Sequence, residues 1–193
     1  MKVTVIIPWV RKELIGRATC AAVLNAGADV LLYAKEDTER IGCPKMVRDM
    51  VNECTTKYVC FLGDDTIAGD NYIKIAMDEM LEFPGGNGLI GFNDKTGRTL
   101  PTHWIASREL LPELGGTFFH PGYRHCCCDV ELLHRVKALG RFSYSQKALV
   151  LHDHPMITGC KTDKFYDYVY SPLVRGKDQA LLKQRMENGW SSD

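Results

Sequence analysis

The chain has 193 residues, enough for one domain with a substantial core. Hydrophobic residues make up 45% and charged residues 25%, and 24 Lys and Arg balance 24 Asp and Glu, so no net field points to nucleic acid or to an acidic membrane. No apolar run approaches the roughly 20 residues that span a bilayer. The opening Met1-Lys2-Val3-Thr4-Val5 enters a strand pattern directly, without a signal segment, so a cytoplasmic location is expected. Three of the eight cysteines are consecutive (Cys126, Cys127 and Cys128), which fits no spaced disulfide framework and reads as reduced thiols.

In chain order, Val3-Thr4-Val5-Ile6-Ile7 reads as a buried strand closed by Pro8-Trp9. A helix from about Glu13 carries Leu14, Ala18, Ala21 and Ala22 on one face and stops at Gly27. A second strand, Val30-Leu31-Leu32-Tyr33-Ala34, ends in Glu36-Asp37. Pro44 suits the first turn of a second helix, whose Met46, Val47, Met50, Val51 and Cys54 repeat at helical spacing. The strand Tyr58-Val59-Cys60-Phe61-Leu62 then breaks off at Gly63-Asp64-Asp65-Thr66. Asp70 is expected to cap a third helix bearing Tyr72, Ile73, Ala76, Met77 and Met80, and Leu89-Ile90-Gly91-Phe92 is a fourth strand.

The second half is less regular. Residues 102–107 suit a strand, and 114–128 form a loop too long to be a mere connector. A helix begins near Asp129 with Leu132, Leu133, Val136 and Leu139 facing inward. Ala148-Leu149-Val150-Leu151 is a strand running into His152-Asp153-His154-Pro155, and a terminal helix is expected near 178–186. Strands alternating with helices predict a single α/β domain over 1–193, with a mostly parallel sheet covered on both faces. Residues 1–100 form its regular half and 101–193 its less regular half.

In such sheets ligands bind outside the carboxyl ends of the strands. Asp64 and Asp65 stand at such an end, where two acids are costly unless a cation compensates them; they read either as a metal site or as a surface turn. His152 and His154, two residues apart at another strand end, share a face and could complete that site. A carboxylate, an imidazole and phosphate oxygens suit Mn²⁺ or Mg²⁺, the nitrogen favouring Mn²⁺. Asp129 is either a helix cap or first-turn acid, favoured by the helix dipole, or a general base held ionised by the helix start. Pro8 and Trp9, with Glu36 and Asp37, could hold a nucleobase, and Lys45 near a helix start could meet a phosphate. No Gly-x-Gly-x-x-Gly follows the first strand and no Walker lysine motif occurs, which disfavours dinucleotide and P-loop chemistry. A zinc reading of His120, His125 and the three consecutive cysteines fails on spacing.

The order of these features resembles the GT-A glycosyltransferases, particularly family 2. The shared features are Val5-Ile6-Ile7-Pro8, the acids Glu36-Asp37, Phe61-Leu62-Gly63-Asp64-Asp65 in the place of the metal-binding Asp-x-Asp, Cys128-Asp129 where a Glu-Asp pair opens a helix, and Val150-Leu151-His152. The resemblance covers residues 1 to about 155 and departs at Gly63, Cys128 and Trp9-Val10. It implies a metal-dependent inverting transfer of a sugar from a nucleoside-diphosphate sugar, a UDP-sugar above others, to a glycan or other hydroxyl acceptor. Asp129 would be the base, Asp65 with His152 or His154 the metal ligands, and Pro8, Trp9, Glu36, Asp37, Lys45, Asp64 and Gly116 the donor contacts. A sugar nucleotidyltransferase, imitated in part by Arg11, Lys12, Gly16 and Arg17, and a non-catalytic binding module are the alternatives. A homo-oligomer is left open.

Overall fold

The structure, a computed structural model, describes residues 2–190. Its elements in order are β1 (Val3–Trp9), α1 (Lys12–Leu24), β2 (Val30–Glu36), α2 (Cys43–Glu53), β3 (Tyr58–Phe61), β4 (Thr66–Ala68), α3 (Tyr72–Met80), β5 (Leu89–Asn93), β6 (Trp104–Ser107), α4 (Cys128–Ala138), β7 (Phe142–His152), α5 (Pro155–Thr158), α6 (Lys164–Val169) and α7 (Pro172–Glu187). The strands form one sheet in the order β2-β1-β3-β6-β5-β7-β4. Pairing is parallel for β1 with β2 and β3 and for β5 with β7, and antiparallel for β6 with β3 and β5 and for β4 with β7. Five strands (β1, β2, β3, β5, β7) therefore run one way and only β4 and β6 oppose them, as the mostly parallel expectation requires.

The two faces of the sheet bury different helices because successive side chains of a strand point to opposite sides. Val3, Val5 and Ile7 of β1 pack with Ala22 of α1 and with Tyr72, Ile73 and Ala76 of α3. Ile6 packs on the other side with Met46, Val47 and Met50 of α2 and Leu132 and Val136 of α4. Each fully buried side chain of this kind contributes about 1.5–3 kcal/mol. No helix among the described residues is long and apolar enough to cross a membrane.

One local expectation is corrected, and two details are added. The cap of α3 is Asn71, not Asp70; Asn71 takes the left-handed conformation at φ 58°, which asparagine tolerates better than most residues. It sits against the turn after α1, where a Cβ on Gly27 would come 2.3 Å from Asn71 Oδ1, so Gly27 is required both for its positive φ and for this approach. Asp129 is the second residue of α4, and Cys127 is the cap. The three-residue β4 had no pattern long enough to be read, yet its pairing of Thr66 with His152 sets the tip of β3 beside the end of β7.

The C-terminal helix extends over Pro172–Glu187 and is tied to α4 through Glu131. That carboxylate is fully buried and accepts from Arg185 Nε (2.7 Å) and Nη2 (2.8 Å), from Tyr123 Oη (2.8 Å) and from Arg135 Nη1 (3.4 Å). Glu131→Ala leaves two buried guanidinium groups without their carboxylate, so a loss of about 3–5 kcal/mol is expected in guanidinium unfolding. An unchanged midpoint would contradict this role.

Candidate metal and donor site

The carboxyl ends of the parallel strands gather on one edge of the sheet and line a cleft of about 980 Å³. Pro8 and Trp9 come from β1, Asp37 follows β2, Asp64 and Asp65 follow β3, Asp94 follows β5, and His152 and His154 come from the end of β7. Asp129 reaches the same cleft from the first turn of α4. Three residues expected to touch the donor lie outside its lining and are exposed: Glu36, Lys45 and Gly116. Lys45 and Glu36 follow the surface of α2 and β2, while Gly116 belongs to a turn whose neighbours Gly115 and Thr117 border a separate, smaller hollow.

The adjacent aspartates divide their work. Asp64 Oδ2 accepts the backbone N–H groups of Val10 (3.0 Å) and Arg11 (3.1 Å), and its Oδ1 takes the Arg11 guanidinium. It therefore anchors the turn that follows β1. Asp37 does the same for the turn before α2, accepting from Ile41 N (2.7 Å) and Gly42 N (2.9 Å). Asp65 Oδ2 collects Arg11 Nη2 (2.9 Å), Tyr166 Oη (2.7 Å) and His152 Nε2 (3.3 Å). Burial alone would raise the Asp65 carboxyl, but His152, Arg11 and Tyr166 outweigh it and hold Asp65 well below the usual carboxylate range.

Arg11, read in the sequence only as part of a nucleotidyltransferase-like loop, carries positive charge at the centre of the site. Its guanidinium is buried, lies over the rings of Tyr166 (4.7 Å) and Phe165 (5.2 Å) of α6, and approaches Asp163 at 3.8 Å. Stacking on two aromatic faces suits arginine's weakly hydrated planar group. No local pattern signals this, since Arg11 and Asp64 are 53 residues apart.

His103 was missed. It precedes β6, which runs against its neighbours, so the start of β6 lies at the edge where the parallel strands end. Asp65, His103 and His152 offer ligand atoms that all lie within 4.8 Å of one another. Burial pushes the His103 imidazole down to about 3, which keeps it neutral as a ligand must be. His154 is placed differently: its Nε2 pairs with Tyr170 Oη at 3.0 Å, and its ring packs edge-on against Tyr166. The donor set of two imidazoles and a carboxylate thus fits a divalent transition ion.

Asp129 is half-buried; its Oδ1 accepts from Val130 N (2.9 Å) and its Oδ2 faces Thr102 Oγ1 at 3.5 Å. Burial raises its carboxyl above the ordinary aspartate value, against the pull of these hydrogen bonds. The preceding loop is held by Asp178 of α7, which accepts from the N–H groups of Arg124 (2.8 Å), His125 (2.9 Å) and Cys126 (2.7 Å).

No family model matches the sequence, and no curated protein sequence matches it. Solved structures do match in three dimensions. A Drosophila β-1,4-galactosyltransferase 7 mutant in complex with manganese, UDP-Gal and xylobiose superposes with a TM-score of 0.60 at 12% identity, over 88% of this chain and 79% of that one. Glucosyl-3-phosphoglycerate synthase from Mycobacterium tuberculosis with Mn²⁺, UDP-glucose and phosphoglyceric acid gives 0.62 at 13% identity, over 94% and 80%. GalNAc-T7 with UDP, GalNAc and Mn²⁺ gives 0.64 at 11% identity, with this chain spanning 55% of that structure. The fold is GT-A. Within this GT-A fold the cleft is built from the strand ends and α4 of this chain.

Two cleft histidines give a pH signature. Burial pushes His125 down to about 4 and His103 to about 3, whereas an unfolded histidine takes its proton near 6.5. The unfolded chain therefore binds more protons below pH 6.5, and stability falls as pH drops from there towards 4. The Asp65 contribution, held below its unfolded value, is lost only at still lower pH. Unfolding midpoints should decline measurably between pH 7.5 and 5; a flat profile over that span would count against neutral, buried imidazoles.

Proposed function

We propose that the protein is a metal-dependent inverting glycosyltransferase that moves a sugar from a nucleoside-diphosphate sugar, a UDP-sugar, to an acceptor hydroxyl. The observation that carries this reading is the meeting, in one cleft of a GT-A fold, of Asp65 and His152 with a raised carboxylate at Asp129. The solved neighbours that hold UDP or UDP-sugars with manganese support the donor class.

The chemistry follows from the groups present. Pro8 and Trp9 offer the nucleotide an apolar and aromatic wall, and Asp64 and Asp37 fix the turns that frame it. Asp65 and His152 would hold a divalent ion, Mn²⁺ rather than Mg²⁺, which when bound would supply positive charge for the departing diphosphate. Arg11 adds a fixed charge beside it. The acceptor oxygen attacks the anomeric carbon as the bond to the diphosphate oxygen breaks, and the nucleoside diphosphate leaves with that electron pair. Asp129 takes the acceptor's proton. Its raised carboxyl makes it a stronger base than an ordinary aspartate. One in-line displacement inverts the anomeric centre.

Arg11 is also the observation that favours a second reading, a sugar-nucleotide binding module without turnover, because it already compensates Asp64 and Asp65. One series of measurements separates the two. A thermal-shift screen of nucleoside diphosphates should give a Mn²⁺-dependent stabilisation with UDP, and Asp65→Ala should remove the metal-dependent part. Asp129→Asn should lower sugar transfer, and slow donor hydrolysis, by about 10²–10⁴-fold while UDP affinity stays within twofold. The acid limb of the wild-type rate should fall above the ordinary aspartate range near ~3.9. UDP binding with no donor cleavage in Mn²⁺ would establish the second reading instead.

A further inference from the structure

We infer that His103 is a ligand of the metal in this cleft, supplying from the start of β6 what position 63 lacks, and that the resulting site selects transition ions against Mg²⁺. The inference rests on the metal site proposed above and adds to it a ligand and a selectivity.

The first observation is steric. Gly63 stands where the resemblance places the first carboxylate of an Asp-x-Asp motif. A Cβ built on it would lie 2.7 Å from Asp65 Oδ1 and 3.2 Å from His103 Nε2. Any side chain at position 63 would meet both groups, so the imidazole borders the space in which the missing carboxylate would begin. Gly63 is the vacancy that admits His103.

The second is an unmet hydrogen-bonding demand. His103 is 3% exposed, and among the described residues its ring has no hydrogen-bond partner; Nδ1 is buried without one. Its ring packs against Phe61, stacked at 5.9 Å, and His152, edge to face at 4.7 Å. Leaving a buried polar group unpaired is costly, and a merely structural residue of this size would avoid that cost by being apolar. The perpendicular packing of His103 and His152 lets two nitrogens converge on one point instead of stacking past each other.

The third is the division of Asp65. Its Oδ2 already receives Arg11, Tyr166 and His152, while Oδ1 lies on the Gly63 side with His103 Nε2. Ligand atoms sharing one ion at about 2.1 Å are roughly 3–4 Å apart. The trio's 4.8 Å limit is therefore within a small rotamer adjustment of closure. Two imidazoles with one carboxylate suit Mn²⁺, Fe²⁺, Co²⁺ or Zn²⁺, whereas Mg²⁺ prefers an all-oxygen, largely hydrated shell.

The test is metal binding by the full chain without donor or acceptor. Free Mn²⁺ is counted by electron paramagnetic resonance, and Co²⁺ is followed by its visible absorption. Wild type should bind both, with Mg²⁺ unable to displace Mn²⁺ at a tenfold excess. His103→Ala should weaken Mn²⁺ binding tenfold or more and alter the Co²⁺ spectrum, with its circular dichroism unchanged. Unchanged Mn²⁺ affinity in folded His103→Ala would overturn the inference while leaving Asp65, His152 and the transferase reading in place. If His103→Ala does not fold, the wild-type competition decides alone, and ready displacement of Mn²⁺ by Mg²⁺ overturns the inference. Absence of metal binding in wild type would overturn it as well, and the UDP thermal shift measured without metal then shows whether donor binding survives separately.

Discussion

Two buried carboxylates on consecutive residues stand side by side at the end of β3, and one guanidinium serves both. Arg11 contacts Asp64 and Asp65 at once, and the turn that carries Arg11 is itself held by Asp64 through two backbone N–H groups. Desolvating such charges is expensive, and their attraction compensates only when geometry and additional hydrogen bonds satisfy the remaining sites. Here Tyr166 supplies one of those bonds, and the rings of Phe165 and Tyr166 cover the guanidinium. The same set of contacts joins the first turn of the chain, the tip of β3 and the C-terminal α6. The carboxyl edge of the sheet and α6 are thus joined through Arg11.

How much of this was legible in the sequence follows from the range of the interactions. The alternation of β1, α1, β2, α2 and β3 rests on local periodicity, and the structure keeps every one of these elements. Asp65 and His152 could be paired in advance because each sits at the end of an apolar run, the position where α/β sheets expose ligands. β4 has only three residues and no period to read. His103 escaped because a strand's direction cannot be read from its composition. A histidine before a parallel strand would lie at the far edge, and only the antiparallel pairing of β6 brings it to the site. The useful signal was the buried-strand pattern of Trp104-Ile105-Ala106-Ser107 following a histidine, combined with the glycine at position 63.

The cleft's other wall depends on a separate set of charges. Glu131 binds Arg135 and Arg185, and Asp178 gathers three consecutive backbone N–H groups of the loop before α4. Both acids lie far from Asp65 in sequence and neither carries a motif. Together they fix α7 against α4 and set the position of the helix start that presents Asp129. The aromatic and cysteine-rich loop that resisted any metal pattern is ordered by this scaffold: its backbone donors are satisfied by a carboxylate from the C-terminal helix.

The two cleft aspartates are pushed in opposite directions by their surroundings, a contrast that position alone does not show. Asp65 is buried among a guanidinium, an imidazole and a phenol, so its charged form is favoured. Asp129 is raised by burial and by repulsion from Asp94, against hydrogen bonds from its own helix start and Thr102. Paired acids whose surroundings drive their proton affinities apart are the usual mark of divided labour in a site. The member whose charged form is favoured suits a cation, and the member with raised affinity suits a proton. An exchange of roles would require Asp129 to gain a neighbouring cation and Asp65 to lose Arg11, and the turn after β1, pinned by Asp64, holds Arg11 at Asp65.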